Sequence, residues 1–270
     1  MVVHTALYAR VLGQDARLFA PYNVLGALLL IAAGALSQVA AYVLFAIAIA
    51  LQFVSASRAS LVTQRRDWHI HPEHFVERNG ALLLIAIGES IIATGIGLAG
   101  TPLDAKVVTA ALLGFALSAA LWWTHFDVDE RLGVRAMRGA TPRGALRIAL
   151  GGYFYSYLIL LFGIIATASG VRLSIAYFSE PDVPEGAILL ASGVAIYLAG
   201  DAAYRLFVGV RPMWTRVIAA IVAALTVPIG IAIATGAQLV ALLVIVAGVL
   251  IIESRGLGTR LIESRADVRA

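Results

Sequence analysis

The chain has no cysteine, so disulfides, thiolate nucleophiles and cysteine metal sites are excluded. Charged residues are also scarce: they make up 13% of the 270 residues, whereas soluble domains carry about 25%. We find no phosphate-binding P-loop, no glycine-rich dinucleotide turn, no HExxH helix and no Gly-x-Ser-x-Gly elbow. The sequence therefore predicts no enzyme, no catalytic residue, no cofactor and no metal site.

Long apolar runs are abundant instead, because 61% of the residues are hydrophobic. About twenty apolar residues form a helix that crosses a bilayer core of about 30 Å. We predict an all-α polytopic membrane protein whose main partner is the lipid bilayer. The expected single domain, 1–270, has a partial N-terminal helix without a signal peptide and eight spans, at about 22–36, 38–57, 80–99, 106–124, 147–169, 186–204, 214–234 and 237–253. Pro228 should kink the seventh span.

The arginines indicate the orientation of these spans. With the segment before the first span in the cytoplasm, alternate loops place eighteen arginines on that side, including Arg205 and Arg216. The other side receives only Lys106 and Arg172. Positive residues concentrate in cytoplasmic loops, so we predict a cytoplasmic C-terminus. The net charge of +4 thus comes from arginines that flank the membrane spans, and no nucleic-acid partner is expected.

Glu89 lies at the centre of the third span, where an ionised carboxylate costs roughly 2.5–3.5 kcal/mol. Ser90 and Thr94 are four residues apart and share a helical face. We predict an intramembrane polar site of Glu89, Ser90 and Thr94, with Glu89 largely protonated and hydrogen-bonded to a neighbouring helix or to water. This site could couple a proton or cation to transport, or it could serve only the packing of a tight helix.

Two motifs point to a family. The segment His74-Phe75-Val76-Glu77-Arg78-Asn79-Gly80, continuing into Gly88-Glu89-Ser90-Ile91, resembles the signature of the bacterial low temperature requirement protein A (LtrA) family. Trp122-Trp123-Thr124-His125-Phe126-Asp127 is similar to a second element of that family. The resemblance implies a multi-pass inner-membrane protein, in a family named for a growth phenotype rather than a reaction.

Members of that family are typically longer and open with a Glu-Leu-Phe-Phe-Asp-type helix. By this comparison the chain is expected to be an N-terminally shortened member. An exposed, polar-lined groove should then lie beside the third span, where the front helices would pack.

A polar motif is expected on the cytoplasmic side, consisting of His74, Glu77, Arg78, Asp127 and Asp201. Asp127 begins a charge run with Asp129 and Glu130 that could simply be solvated. Asp201 could form an ion pair with Arg205, four residues later, or line the same cavity as Glu89.

Two further clusters have alternative interpretations. Tyr153, Tyr155 and Tyr157, with Ser156, favour an interfacial aromatic belt, and hydrogen bonding to an inward acid is the alternative. His69, His71 and His74 with Glu77 could ligate a cation, but Pro72 separates His71 from the helix, so a plain loop is favoured.

Three functions are compatible with these features. The first is a proton- or ion-coupled transporter or channel for a small solute or ion, using the buried Glu89. The second is a non-catalytic membrane protein that supports cold or envelope stress adaptation through partners. The third, an enzyme acting on lipid within the membrane, has the least support because no nucleophile or metal set converges.

Overall fold

The computed structural model describes residues 15–63, 71–98, 102, 104–127, 129–175, 178–179 and 184–267. The chain contacts divide it into two units, Met1–His69 and Ile70–Ala270. A single domain over 1–270 stays a prediction. In the first unit, helices α1 (Asp15–Gly34) and α2 (Gln38–Thr63) form a hairpin in which Gln52 donates a 3.3 Å hydrogen bond to Asn23.

The second unit is a helical bundle. Its helices are α3 (Pro72–Leu98), α4 (Ala105–Phe126), α5 (Asp129–Arg138), α6 (Pro142–Arg147), a π-helical segment (Ile148–Tyr155), α7 (Ser156–Ser174), α8 (Pro184–Val208), α9 (Trp214–Ala224), α10 (Val227–Ala232) and α11 (Thr235–Asp267). The described residues contain no strand, which confirms the all-helical prediction.

Six stretches of the described residues are long and apolar enough to cross a membrane: Pro72–Ile96, Ala105–Arg138, Pro142–Ser174, Pro184–Val208, Trp214–Ala232 and Thr235–Arg255. Their length and composition confirm an integral membrane protein. The apolar parts of α1 and α2, Ala20–Gly34 and Val39–Ser55, are shorter. The count of eight spans therefore stays a prediction.

Pro228 interrupts the seventh predicted span, as expected. Helix α9 ends at Ala224, and α10 begins at Val227 with Pro228 in its first turn. Proline has no backbone N–H to donate to the preceding turn, so the helix breaks there. At this break the Thr226 hydroxyl donates a 2.7 Å hydrogen bond to the Ala223 carbonyl oxygen.

Glycines bring α7 and α8 close together at the centre of the bundle. A Cβ added at Gly163 would lie 2.5 Å from the backbone nitrogen of Tyr197, and one at Gly170 would lie 2.5 Å from that of Leu190. From the other side, a Cβ at Gly193 would lie 2.3 Å from the Thr167 nitrogen. Small residues allow membrane helices to pack backbone against backbone. This contact fixes the position of α8, which carries two of the six ionisable residues described below.

Gly163→Ala should therefore destabilise the bundle by about 1–3 kcal/mol, because the added methyl group forces α7 and α8 apart. Gly95→Ala on α3 is the matched control, since nothing lies within 4 Å of its Cβ position, and it should be neutral or slightly stabilising. Unfolding both variants in mixed micelles, followed by circular dichroism, measures the difference. Equal stabilities would show that the close contact does not exist.

Candidate functional site

The structure separates the three residues of the predicted intramembrane site. Ser90 and Thr94 are buried, as their shared face predicted, but Glu89 is exposed on α3. The Ser90 hydroxyl donates to the Ile87 carbonyl over 2.6 Å and lies 3.1 Å from the Ser118 hydroxyl oxygen. Thr94 donates to the Ser90 carbonyl over 3.0 Å. The two hydroxyls thus serve helix packing, and Glu89 points away from them.

The groove beside α3 differs from the expectation. It encloses about 370 Å³ between α3 and α4. Its lining is apolar, formed mainly by Ile91, Leu112 and Phe115, with Thr94 as its one hydroxyl-bearing residue. This groove is therefore not polar-lined, because Ser90 on the polar face of α3 already contacts Ser118 on α4. Glu89 is exposed rather than enclosed, so a polar-lined groove elsewhere beside α3 stays a prediction.

The predicted cytoplasmic-side motif is not one site. His74, Glu77 and Arg78 are exposed on the first turns of α3, and Asp127 is exposed at the end of α4. Asp201 is fully buried on α8. On the same part of α3, Glu73 forms an exposed ion pair with Arg138 of α5. Of the proposed histidine ligands, His71 and His74 are exposed, and His69 lies outside the described residues.

Asp201 belongs instead to a group of six ionisable side chains at one end of the bundle, which we call the charge cluster: His125, Asp129, Asp201, Arg205, Arg216 and Glu253. Five helices contribute to it, namely α4, α5, α8, α9 and α11. Arg216 lies near the start of the apolar stretch Trp214–Ala232, Glu253 lies near the end of Thr235–Arg255, and Asp129 begins the polar helix α5. Five members are at most 5% exposed, and Glu253 is 11% exposed on its side chain.

Arg205 binds two carboxylates at once. Its Nε and Nη2 donate to Asp129 over 2.7 and 3.0 Å, and its Nη1 and Nη2 donate to Glu253 over 2.9 and 3.0 Å. Two-pronged pairing matches the planar guanidinium to the planar carboxylate and is stronger than a single contact. The predicted pair between Arg205 and Asp201 is present but longer, at 3.7 Å. Asp129 is therefore the main partner of Arg205, and the expectation of a solvated Asp129 is wrong.

Arg216 lies on the other side of Glu253. Its Nε and Nη2 donate to that carboxylate over 3.0 and 2.7 Å, and Nη2 also donates to the Thr124 carbonyl. Its Nη1 is 3.3 Å from Asp201 Oδ2, yet neither atom makes a hydrogen bond within the described residues. The two atoms thus attract each other electrostatically without a hydrogen bond. Each can therefore still form a hydrogen bond with another group.

His125 connects Asp201 to the tyrosines. Its Nδ1 lies 2.9 Å from Asp201 Oδ1, and its Nε2 lies 2.9 Å from the Tyr157 hydroxyl oxygen. Tyr153 and Tyr204 are buried alongside, with their hydroxyls 2.9 Å apart, and Tyr204 donates to the Asp129 carbonyl. The aromatic-belt interpretation is therefore wrong for Tyr153 and Tyr157. The structure agrees better with hydrogen bonding to an inward acid, because His125 contacts both the Tyr157 hydroxyl and the Asp201 carboxylate.

The cluster has an unequal number of fixed charges. Asp129, Asp201 and Glu253 supply three negative charges, and Arg205 and Arg216 supply two positive ones. With a neutral His125 the sum is one negative charge, which is costly to bury. One proton, held by the imidazole or by a carboxylate, makes the cluster neutral. The arrangement is therefore suited to holding and releasing a single proton.

A metal ion fits this cluster poorly. Ligand atoms of His125, Asp129 and Asp201 lie within 4.8 Å of one another, a spacing that could hold a cation. However, the guanidinium groups of Arg205 and Arg216 already contact both aspartates. A metal there would be repelled by both of these charges. The absence of a metal site stays a prediction.

A cavity of about 540 Å³ opens beside the cluster. Its charged lining includes Asp129, Arg205, Arg216 and Glu253, with Asp127 and Arg211 exposed nearer the surface. Apolar walls come from Trp123, Leu132, Val210, Leu250, Ile251 and Ile252. Small-molecule sites have volumes of about 300–1,000 Å³ and combine apolar walls with a few polar groups, as this cavity does.

Sequence reasoning missed most of this site. The sequence indicates His125 only as part of a motif, and the distribution of arginines places Arg205 and Arg216 in cytoplasmic loops although both are buried. No sequence motif singles out Glu253. A signal existed, because Glu253 follows a long apolar run and is the first charged residue after it. An acid at that position requires a partner, and Arg205 and Arg216 stand at the ends of two other runs.

Comparisons with known proteins agree with the sequence motifs. The model of the bacterial low temperature requirement A protein (LtrA) family matches residues 1–251. A curated relative, an uncharacterized protein of Rhizobium meliloti (strain 1021), is 27% identical over 143 residues. That match covers 50% of this chain and 33% of the relative, so the chain spans about a third of the relative's length. No solved structure gives a significant match. The chain belongs to the LtrA family.

Proposed function

We propose that this protein is a proton-coupled transporter of a small solute in the bacterial cytoplasmic membrane, and that the charge cluster is its coupling site. One observation carries the proposal. Six ionisable side chains converge within membrane-spanning helices, and four of them line a cavity large enough for a small molecule. Ionisable groups inside membrane segments typically mark ion or substrate pathways.

The coupling follows from the charge balance. A charged solute that enters the cavity next to Arg205 and Glu253 changes the net charge of the buried charge cluster. Neutrality is then restored by uptake or release of the proton held near His125 and Asp201. Solute binding and proton binding are thereby linked, and each must change the affinity for the other by the same factor.

This proposal moves the coupling site from Glu89 to Asp201 and its partners. Glu89 is exposed on α3, whereas the cluster residues are buried and connected to a cavity. Glu89→Gln should therefore leave coupling unchanged, while Asp201→Asn should remove it.

Proteoliposomes loaded with a pH-sensitive dye and held at zero membrane potential test the transport proposal. A panel of small carboxylates, amines and sugars is applied as an outward gradient at equal internal and external pH. We expect one solute class to drive proton movement with wild-type protein and with Glu73→Gln, an exposed control, and not with Asp201→Asn. If no solute moves protons faster than in protein-free liposomes, the protein is not a proton-coupled transporter of these classes.

The proposed topology has eight spans and a cytoplasmic C-terminus. Its support is the uneven distribution of eighteen arginines against Lys106 and Arg172. Reporter fusions at Gly170 and Gly256 should report opposite sides of the membrane. Fusions that report the same side would contradict this topology.

The second candidate is a non-catalytic membrane protein that supports cold or envelope stress adaptation. The observation that favours it is the doubled pairing of Glu253, which ties α8, α9 and α11 together as a purely structural cluster would. Under this alternative, Asp201→Asn protein that is folded should still support growth in the cold. Under the transport proposal it should fail to do so although it is folded.

A further inference from the structure

The carboxylate of Glu253 occupies a site built entirely from two other helices. Arg205 on α8 donates two hydrogen bonds to it, Arg216 on α9 donates two more, and the Thr215 hydroxyl on α9 donates a fifth over 2.7 Å. Both arginines are at least nine-tenths buried, with side chains 6% and 1% exposed. Five converging donors, two from each guanidinium group and one from the Thr215 hydroxyl, form a receptor for one planar carboxylate.

This receptor is open to the cavity. Glu253 is the most exposed of the three cluster carboxylates, at 11% against 1% for Asp129 and 0% for Asp201. All four of Arg205, Arg216, Glu253 and Asp129 line the cavity, whereas Asp201 does not. A molecule in the cavity can thus reach the two arginines from the side where Glu253 now lies.

The remaining walls of the cavity indicate the chemistry of the rest of such a molecule. Its walls beyond the charges are apolar, with Trp123, Leu132, Val210 and Leu250 among them. The chemistry that matches is a charged planar head attached to a short apolar body. A sugar would leave these walls without a partner, and an ammonium group has no acceptor with which to replace the Glu253 carboxylate at the two guanidinium groups.

We propose that Arg205, Arg216 and Thr215 form a binding site for a small organic carboxylate, and that Glu253 is the internal competitor for this site. The inference rests on the proposed function only in assuming that the cavity admits a solute. Binding exchanges one carboxylate for another at the guanidinium groups, so the arginines are never left unpaired. Glu253, displaced from both arginines, is then the group that must move or take a proton.

Chemical rescue tests this site directly. Glu253→Ala removes the carboxylate that the two buried arginines share, so the variant should unfold at a lower temperature than wild type. Butyrate should refill the site and raise the Tm of the variant saturably, by about 3–6 °C. It should raise the wild-type Tm far less, because Glu253 already occupies the site. Butyramide, which has the same shape without the charge, should not stabilise the variant.

Asp201→Ala is the matched control. It also removes a buried carboxylate from Arg216, but Asp201 does not line the cavity, so butyrate should not rescue it. Equal rescue of both variants, no rescue of Glu253→Ala, or equal rescue by inorganic phosphate would overturn the assignment of a carboxylate site. If Glu253→Ala yields no folded protein, purification in butyrate should restore a monodisperse species. If butyrate restores neither Glu253→Ala nor Glu253→Gln to a monodisperse species, the carboxylate site is overturned as well.

The same data separate this inference from the transport proposal. Rescue measures binding at equilibrium and needs no transport. Saturable rescue without any carboxylate-driven proton movement would support the binding site and contradict transport. Carboxylate-driven proton movement without rescue would support transport and contradict this location of the site.

Discussion

Arg216→Met should destabilise the bundle by about 3–5 kcal/mol, because removing one partner from a buried ion pair leaves the other charges uncompensated. In this variant Glu253 loses two hydrogen bonds and Asp201 loses its nearest guanidinium group, at 3.3 Å. Methionine retains much of the side-chain volume, so the loss reports the charge rather than a cavity. Denaturant unfolding in mixed micelles, followed by circular dichroism, measures this loss.

Arg138→Met is the matched control for this prediction. Arg138 pairs with Glu73 at the surface, where the two side chains are 64% and 52% exposed. Exposed pairs contribute about 0–1 kcal/mol, so this control should be nearly neutral. If the two variants lost the same stability, Arg216 would not be the buried, doubly paired residue that the structure shows.

His125→Asn should abolish solute-dependent proton movement in proteoliposomes and reduce it to the level of protein-free liposomes. The asparagine side chain can still donate a hydrogen bond to Asp201, so that contact is retained. It has no ring nitrogen to accept the proton that the transport proposal places near His125 and Asp201, and it leaves the Tyr157 hydroxyl without its 2.9 Å partner. The loss of that hydrogen bond should cost about 1–3 kcal/mol, which a folded protein tolerates.

His74→Asn provides the same substitution at an exposed histidine of α3. It should retain full proton movement. A His125→Asn protein that is folded and transports at the wild-type rate would remove His125 from the coupling site.

The helices could be predicted from the sequence because membrane spans follow from a local property. Runs of about twenty apolar residues must satisfy their backbone polar groups internally, which in lipid requires a helix. Six predicted spans therefore coincide with long apolar helices, and Pro228 marked the break between α9 and α10 correctly. The ends were less predictable: α2 continues to Thr63, past the predicted end at 57, because polar residues outside the bilayer can extend a helix.

The charge cluster could not be predicted from the sequence because its contacts are distant along the chain. His125 and Asp201 are 76 residues apart, as are Asp129 and Arg205, and Arg205 and Glu253 are 48 apart. An arginine at the end of an apolar run has the same local sequence whether it faces the cytoplasm or an acid on another helix. The sequence therefore predicts loop positions for Arg205 and Arg216, although both are buried. Glu89 drew attention because it interrupts an apolar run, yet the direction in which it points depends on which helices pack against α3.

The claim that the charge cluster links solute binding to one proton can be tested by proton uptake in detergent solution with little buffer. A small carboxylate such as pyruvate is titrated into wild-type protein while a pH-sensitive dye reports protons taken up or released. A bound anion adds one negative charge to a neutral cluster, so we expect wild type to take up about one proton per bound carboxylate. Saturable binding of the carboxylate without proton uptake would contradict the link between solute and proton.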